Sequence, residues 1–193
     1  AIDADVLGGI YEQYLSYLLK ETPKRAKVIP TKSKRKEQGI YYTPTYIVDY
    51  IVKNTVGKLL EELPFEKARK IRILDPACGS GSFLIRTLDV MDRYLQEKLP
   101  QKDQTFDYIR KSQILTQNIY GVDLDPQAVE ITQLNLLLNT LTQRGRLPFL
   151  TSNIKCGNSL ISGKEEELTK YFGESYKEKR PFIWEEEFPN VFD

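Results

Sequence analysis

The 193-residue chain has no histidine, which removes the side chain most used for acid–base catalysis near neutral pH and a main zinc ligand. It has two cysteines, Cys78 and Cys156, too far apart for metal-ligand spacing and too few for a disulfide scaffold. No apolar run approaches the ~20 residues of a bilayer-crossing helix, and the first residues lack a signal-peptide pattern. The expectation is therefore a cytoplasmic protein with no membrane partner. Charge of one sign is not in excess either, because 28 basic residues face 27 acidic ones for a formal +1. That balance points to no class of partner.

The distribution of charge is less even than its sum. Residues 20–38 carry eight Lys or Arg against two Glu, a run that suits either a phosphate backbone or a solvated, mobile face. Before it, DVLGGIYEQYLSYLL places Val6, Ile10, Tyr14 and Tyr17 or Leu18 at helical spacing, so a short amphipathic helix is expected over 5–19, followed by a basic loop interrupted by Pro23 and Pro30. Residues 1–38 thus read as an N-terminal helix and basic linker, and 39–193 as one α/β unit.

Within that unit, TYIVDYIVKNTVGKLLEEL puts Ile47, Ile51 and Leu59 beside Val48, Val52 and Val56 on adjacent tracks of a helix, with Pro44 at its start and Pro64 past its end. KIRILDPACGSG then reads as a short buried strand ending at Asp75, a glycine loop, and a helix from Gly81 through Phe83, Leu84, Leu88, Met91 and Leu95. Residues 105–118 suit another helix. IYGVDLDP supplies a second strand and turn, with Asp125 and Pro126 as cap and first-turn residue of a helix carrying Ala128, Ile131, Leu134, Leu138 and Leu141 on one side. A third strand is expected over Ile154 to Cys156, before GNSLI. Alternating strands and helices argue for an open, mostly parallel α/β sheet preceded by helices.

Ligands of such sheets sit beyond the carboxyl ends of the strands. Asp75, the loop Pro76 to Ser82, Asp123 and Asn158 all fall there. Gly79 and Gly81 allow close backbone approach, and the next helix offers free N–H groups for a phosphate or a carboxylate. The loop ends Gly-Ser-Phe without the lysine of a phosphate-transfer loop, and lacks the third glycine of a dinucleotide fingerprint. A nucleoside with an amino-acid-like end suits the pieces better. Each residue also has a plainer reading: Asp75 as a loop cap, Asp125 as a helix cap, Cys78 as a small loop residue, Cys156 as core, Asn158 as a turn former, and Tyr41 and Tyr42 as packing.

YYTP at 41–44 together with DPACGSGSFL at 75–84 resembles the amino-terminal part of the methyltransferase region in adenine-N6 DNA methyltransferases of restriction-modification systems, the fused restriction-and-methylation type in particular. The likeness runs from LGGIYEQYL through IYGVDLDPQAVEITQLNLLLN and IKCGNSLI to FIWEEEFPNVFD. It implies a partial Rossmann-like sheet binding S-adenosyl-L-methionine. Tyr42, Thr43 and Pro44 would lie beside the methionine end, and Asp75, Pro76, Ala77, Cys78, Gly79, Gly81, Ser82 and Phe83 would form the methionine-binding loop. Asp123 and Leu124 would take the ribose, and Asn158, Ser159 and Leu160 the adenine, with Asn158 at a position that is Asp in many relatives. A carboxylate suits two ribose hydroxyls because it can accept from both at once.

One departure stands out. The Asn/Asp-Pro-Pro-aromatic tetrapeptide that holds the target adenine in this family is absent, and Phe188-Pro189-Asn190-Val191 has the wrong order. The resemblance therefore implies the cofactor-binding part of the domain, truncated before the catalytic motif, with the isolated chain inactive. Double-stranded DNA would be the partner of the full-length protein, with a specificity domain or subunit. Two alternatives stand beside this reading: a non-catalytic interaction module with the same fold, and the same cofactor with a protein or RNA acceptor.

Overall fold

The computed structural model describes residues 17–22, 25–30, 43–99, 104–140 and 147–192. The first correction falls at the amino-terminal side. Tyr17–Thr22 (β1) and Arg25–Pro30 (β2) pair antiparallel as a hairpin, with Tyr17 opposite Pro30 and Thr22 opposite Arg25. The end of the expected helix and the start of the expected basic loop are therefore strand. Physically, Tyr17 and Thr22 in one segment and Val28 and Ile29 in the other favour strand, and pairing satisfies backbone groups where a helix of this length would be marginal alone. The rest of that helix reading, over 5–16, lies outside the described residues, as do Tyr41, Tyr42 and the run Lys32 to Lys36.

Thr45–Val52 (α1) starts where Pro44 has φ −53° with a non-helical ψ of 139°, and its carbonyl accepts from the Ile47 and Val48 amides. It continues through a π-helical turn at Lys53–Gly57 into Lys58–Glu62 (α2). Of the two expected tracks, the valines won: Val48, Val52, Val56 and Leu60 are buried, whereas Ile51 and Leu59 stay exposed. Pro64 does more than end the helix, since its carbonyl starts Phe65–Ala68 (α3).

Ile73–Asp75 (β3), Ile119–Asp123 (β4) and Ile154–Cys156 (β5) form a parallel sheet in the order β3-β4-β5. Ser82–Lys98 (α4) and Gln104–Gln117 (α5) connect the first two strands, and Pro126–Leu138 (α6) lies between the second and third. Side chains alternate across a strand, and this sheet uses both sides. Ile73, Ile119 and Ile154 join the main core with Leu84, Leu88 and Met91 of α4, while Leu74, Tyr120 and Val122 face a second cluster with Phe182 and Phe188. Covering both faces is what a parallel sheet requires.

The second cover comes from the chain end. After Glu165–Phe172 (α7) and a 3-10 segment at Glu174–Lys179, the short helices Trp184–Glu187 (α8) and Pro189–Phe192 (α9) carry aromatics onto the sheet. Phe182 is 1% exposed and meets Trp184 edge-on at 4.8 Å, and Tyr120 meets Phe188 at 5.3 Å. Burying one such ring contributes roughly 1.5–3 kcal/mol. Between the connecting helices, Arg110 is buried with its Nε 2.6 Å from Asp92 and its Nη2 2.8 Å from Asp107, which ties α5 to α4. No helix among the described residues is long and apolar enough to cross a membrane.

Candidate cofactor site

Parallel register brings the strand ends together as a stagger. Asp75 stands level with Gly121, and Asp123, two residues farther along β4, stands level with Cys156. The glycine loop leaves β3 at Asp75, crosses toward β4 and enters α4. Its course is held by bonds to β4: the Cys78 amide donates to the Val122 carbonyl at 2.9 Å, and the Gly79 amide to Asp123 Oδ2 at 2.8 Å. Gly79 has φ +54° and Gly81 φ +91°, a region where a Cβ clashes with the following carbonyl. A Cβ on Gly79 would meet nothing within 4 Å, so the loop backbone is open to a ligand there. One on Gly81 would come 3.0 Å from Thr132 Cγ2.

Thr132 and Asn135 are the residues that sequence reading missed. The apolar face expected on the helix that begins at Pro126 was Ala128, Ile131, Leu134, Leu138 and Leu141, the last outside the described residues, yet the buried positions are Ala128, Val129, Thr132, Asn135 and Leu136, and Leu134 is 49% exposed. The buried stripe is rotated because it carries two polar groups with work to do. Thr132 Oγ1 donates to the Gly79 carbonyl at 2.7 Å, and Asn135 Nδ2 to the Ser80 carbonyl at 3.0 Å. Two loop carbonyls that would otherwise be buried without partners are thereby satisfied. Polar side chains three apart within an apolar helix face were the available signal.

The acids are arranged in sequence order along the rim. Asp75 Oδ1 accepts from the Ala77 amide at 3.1 Å, which is a loop-capping role. Burial pushes its carboxyl above the ordinary carboxylate range; the Ala77 bond opposes this and the nearby Asp123 charge adds to it. Asp123 accepts from Gly79 through Oδ2 and from the Asp125 amide at 2.9 Å through Oδ1. Both oxygens are oriented, and each keeps lone-pair capacity for a further donor. Asp125 caps α6 by accepting from Gln127 at 2.9 Å, as its position before Pro126 implied. Asn158 Oδ1 accepts from the Leu160 amide at 3.2 Å, so the turn-forming reading of Asn158 holds in the geometry.

The remaining expected site residues divide by exposure. Pro76 and Ala77 are exposed, Ser82, Phe83 and Ser159 are half-buried, and Leu124 and Leu160 are 47% and 93% exposed in the turns after β4 and β5. Cys78 is buried, with its sulfur 3.2 Å from where a Gly121 Cβ would stand, so only its backbone faces the loop exterior. Burial also raises its thiol far above the ordinary value, with Asp75 and Asp123 adding to the effect, which leaves it inert as a nucleophile. Cys156, expected in the core, is exposed instead. It ends an edge strand of three residues, where the burial pattern fades toward the rim. Thr43 and Pro44 lie at the amino end of α1, which packs beside α4. Arg86 Nε is 2.7 Å from Asp49 Oδ1, each a few residues into its helix, which ties the two helices near their amino ends.

No cluster among the described residues has the donors to hold a metal ion. A cavity of about 610 Å³ lies elsewhere, between the start of α7, Tyr176 and Ile183, and none of the rim acids lines it.

A parallel sheet with a glycine loop after its first strand and an oriented acid ending its second is an open α/β architecture, in which ligands bind beyond the carboxyl ends of the strands. The particular family follows from comparison. The N-6 DNA methylase family matches residues 2–172, and the chain belongs to that family. A protein of Methanocaldococcus jannaschii, named as a candidate type II restriction enzyme and methyltransferase, is 30% identical over 86% of this chain and 17% of its own length. A type II restriction enzyme and methyltransferase of Escherichia coli is 30% identical over 84% of this chain and 18% of its own. The chain thus spans less than a fifth of these relatives. A nuclease-deletion mutant of the type ISP restriction-modification enzyme LlaGI, solved with a DNA substrate mimic, superposes with a TM-score of 0.50 over 78% of this chain and 11% of that one; at 19% identity this shows the fold.

Proposed function

We propose that this chain is the S-adenosyl-L-methionine-binding part of an adenine-N6 DNA methyltransferase of a restriction-modification system. The observation that carries the reading is the Asp123 carboxylate, held by the Gly79 and Asp125 amides at the ends of the strands, beside a loop whose Gly79 backbone stands open. Fit to the cofactor can be judged from the residues present. Burial disfavours the charged form of Asp75 and the nearby Asp123 charge adds to this, so a ligand bearing a cation would relieve it. The cofactor's ammonium and sulfonium supply such charge, and its ribose diol supplies two donors for Asp123.

In this reading Thr43, Pro44, Asp75 and the loop from Pro76 to Phe83 hold the methionine end. Asp123 and Leu124 hold the ribose, and Asn158, Ser159 and Leu160 lie along the base. Tyr42 belongs with Thr43 by sequence. When bound, the cofactor supplies an electrophilic methyl group for an exocyclic amine. The chain's own residues contribute orientation, since alignment of donor and acceptor carries much of the rate in such transfers. The Asn/Asp-Pro-Pro-aromatic segment is absent from these residues, so the chain supplies binding and not transfer. Double-stranded DNA is the partner of the whole protein, and its target base would leave the stack before reaction.

Calorimetric titration of S-adenosyl-L-methionine into the chain tests this, beside Asp123→Ala and Asp123→Asn with melting curves as folding controls. Saturable binding that folded Asp123 variants lose is expected. A folded wild-type chain that takes up no heat at millimolar ligand would refute the assignment.

A further inference from the structure

Residues 180–182 return from the charged excursion of α7 and the 3-10 segment to run beside GNSLI. The Phe182 amide donates to the Ile161 carbonyl at 2.8 Å, Pro181 bridges to Asn158, and a Cβ on Gly157 would meet Phe182 Cδ2 at 2.6 Å. Arg180 heads this return and is unusual in two ways. Its backbone is left-handed, with φ 50° and ψ 56°, and it is the non-glycine residue in that region among those described. It also bonds in two directions. Its carbonyl accepts the Asn158 amide at 2.7 Å, and its Nη1 donates to the Leu124 carbonyl at 3.2 Å.

Those two bonds reach the two turns that follow β4 and β5. Leu124 stands directly after the ribose acid, and Asn158 opens the turn placed along the base. The turns also share a backbone link through the Gly157 amide and the Asp123 carbonyl at 2.9 Å, but that link lies at the strand ends, behind the exposed Leu124 and Leu160 side chains. The Arg180 bonds lie one residue farther along each turn, where the other tie is the longer bond from Cys156 Sγ to the Leu124 carbonyl at 3.6 Å.

We infer that Arg180 is a positioning residue for the base end of the cofactor site, setting the separation of the Leu124 and Asn158 turns by bonding to both. The inference rests on the cofactor reading and deepens it. Geometry explains why an arginine sits in a conformation that favours glycine: the left-handed bend lets one residue send its carbonyl to one turn and its guanidinium to the other. Glycine there would ease the backbone yet leave the Leu124 carbonyl to the Cys156 thiol alone, at 3.6 Å. Lysine would retain a donor for the same carbonyl.

The test titrates S-adenosylhomocysteine and its inosine counterpart, which carries oxygen in place of the adenine amino group, into the wild-type chain, Arg180→Gly and Arg180→Lys, with melting curves for each. Arg180→Gly is expected to melt no lower than wild type, to bind S-adenosylhomocysteine about three- to tenfold more weakly, the worth of one hydrogen bond, and to narrow the preference for adenine over inosine. Arg180→Lys is expected to recover part of that preference. A glycine variant whose preference equals that of wild type overturns the inference, whether or not its affinity or stability has moved, because a merely structural residue would shift both ligands together. If the wild-type chain binds neither ligand, the cofactor reading fails and this inference fails with it. Binding with an unchanged preference removes the positioning role alone.

Discussion

Replacing Thr132 by Val changes one hydroxyl for a methyl group at a site with no solvent access. Shape is conserved, so the change acts on the 2.7 Å bond to the Gly79 carbonyl. Without it that carbonyl has lost its partner under α6, at a cost of about 1–3 kcal/mol for a buried acceptor left unsatisfied. For a chain of this size each kcal/mol moves Tm by about 2–4 °C, so a decrease on the order of 2–12 °C is expected. Thr132→Ser is the complement: it keeps the hydroxyl and removes one methyl, at about 0.8 kcal/mol. The Gly79 peptide is held by its amide on Asp123 and its carbonyl on Thr132, so the Val variant also loosens the loop. Thermal melts monitored by circular dichroism order the variants, with wild type above Ser and Ser above Val. A Val variant as stable as wild type, with Ser the less stable, would show that the site is read by packing and that the hydroxyl does not hold the loop.

Two further outcomes follow from the same geometry. Asp75 has its carboxyl raised by burial, so the native state keeps a proton that the unfolded chain has already lost, and stability declines as pH rises through that window. Asp75→Asn removes the buried charge while keeping an acceptor for the Ala77 amide. Its Tm should exceed that of wild type at neutral pH, with the difference shrinking as pH falls toward 3.8, while cofactor binding is lost; a gap that widens in acid would contradict the sign. Gly121→Ala would set a Cβ 2.8 Å from Leu84 Cδ1 and 3.2 Å from Cys78 Sγ and Ile154 Cδ1, an overpacking worth about 1–3 kcal/mol. Urea denaturation should show a lower midpoint, partly restored by Cys78→Ala in the same chain; no restoration would mean that Leu84 and Ile154 take the strain.

The parallel α/β plan was legible because its signals are local. Short β-branched runs ended in Asp75 and Asp123, Asp125-Pro126 announced a helix start, and the glycines marked the loop. The amino-terminal hairpin was not legible, since YLLKET also fits a helical period and only pairing with RAKVIP decides between the two. The same limit applies to α6. Its apolar residues offer more than one stripe, and which one is buried depends on the Gly79 and Ser80 carbonyls it must meet, contributed by residues more than fifty positions earlier.

What the sequence determined by itself was the order of strands and main helices from α1 to β5 and the chemical identity of the rim: two acids, an open glycine backbone and an asparagine turn, each placed at a strand end by adjacency in the chain. Only the tertiary structure decided how those groups are held. Asp123 is aimed by an amide forty-four residues away, the loop carbonyls by Thr132 and Asn135, and the outer turns by Arg180. The physical reason is range. Backbone preference acts over a few residues, whereas satisfying a buried donor or acceptor requires whichever part of the chain the sheet brings beside it.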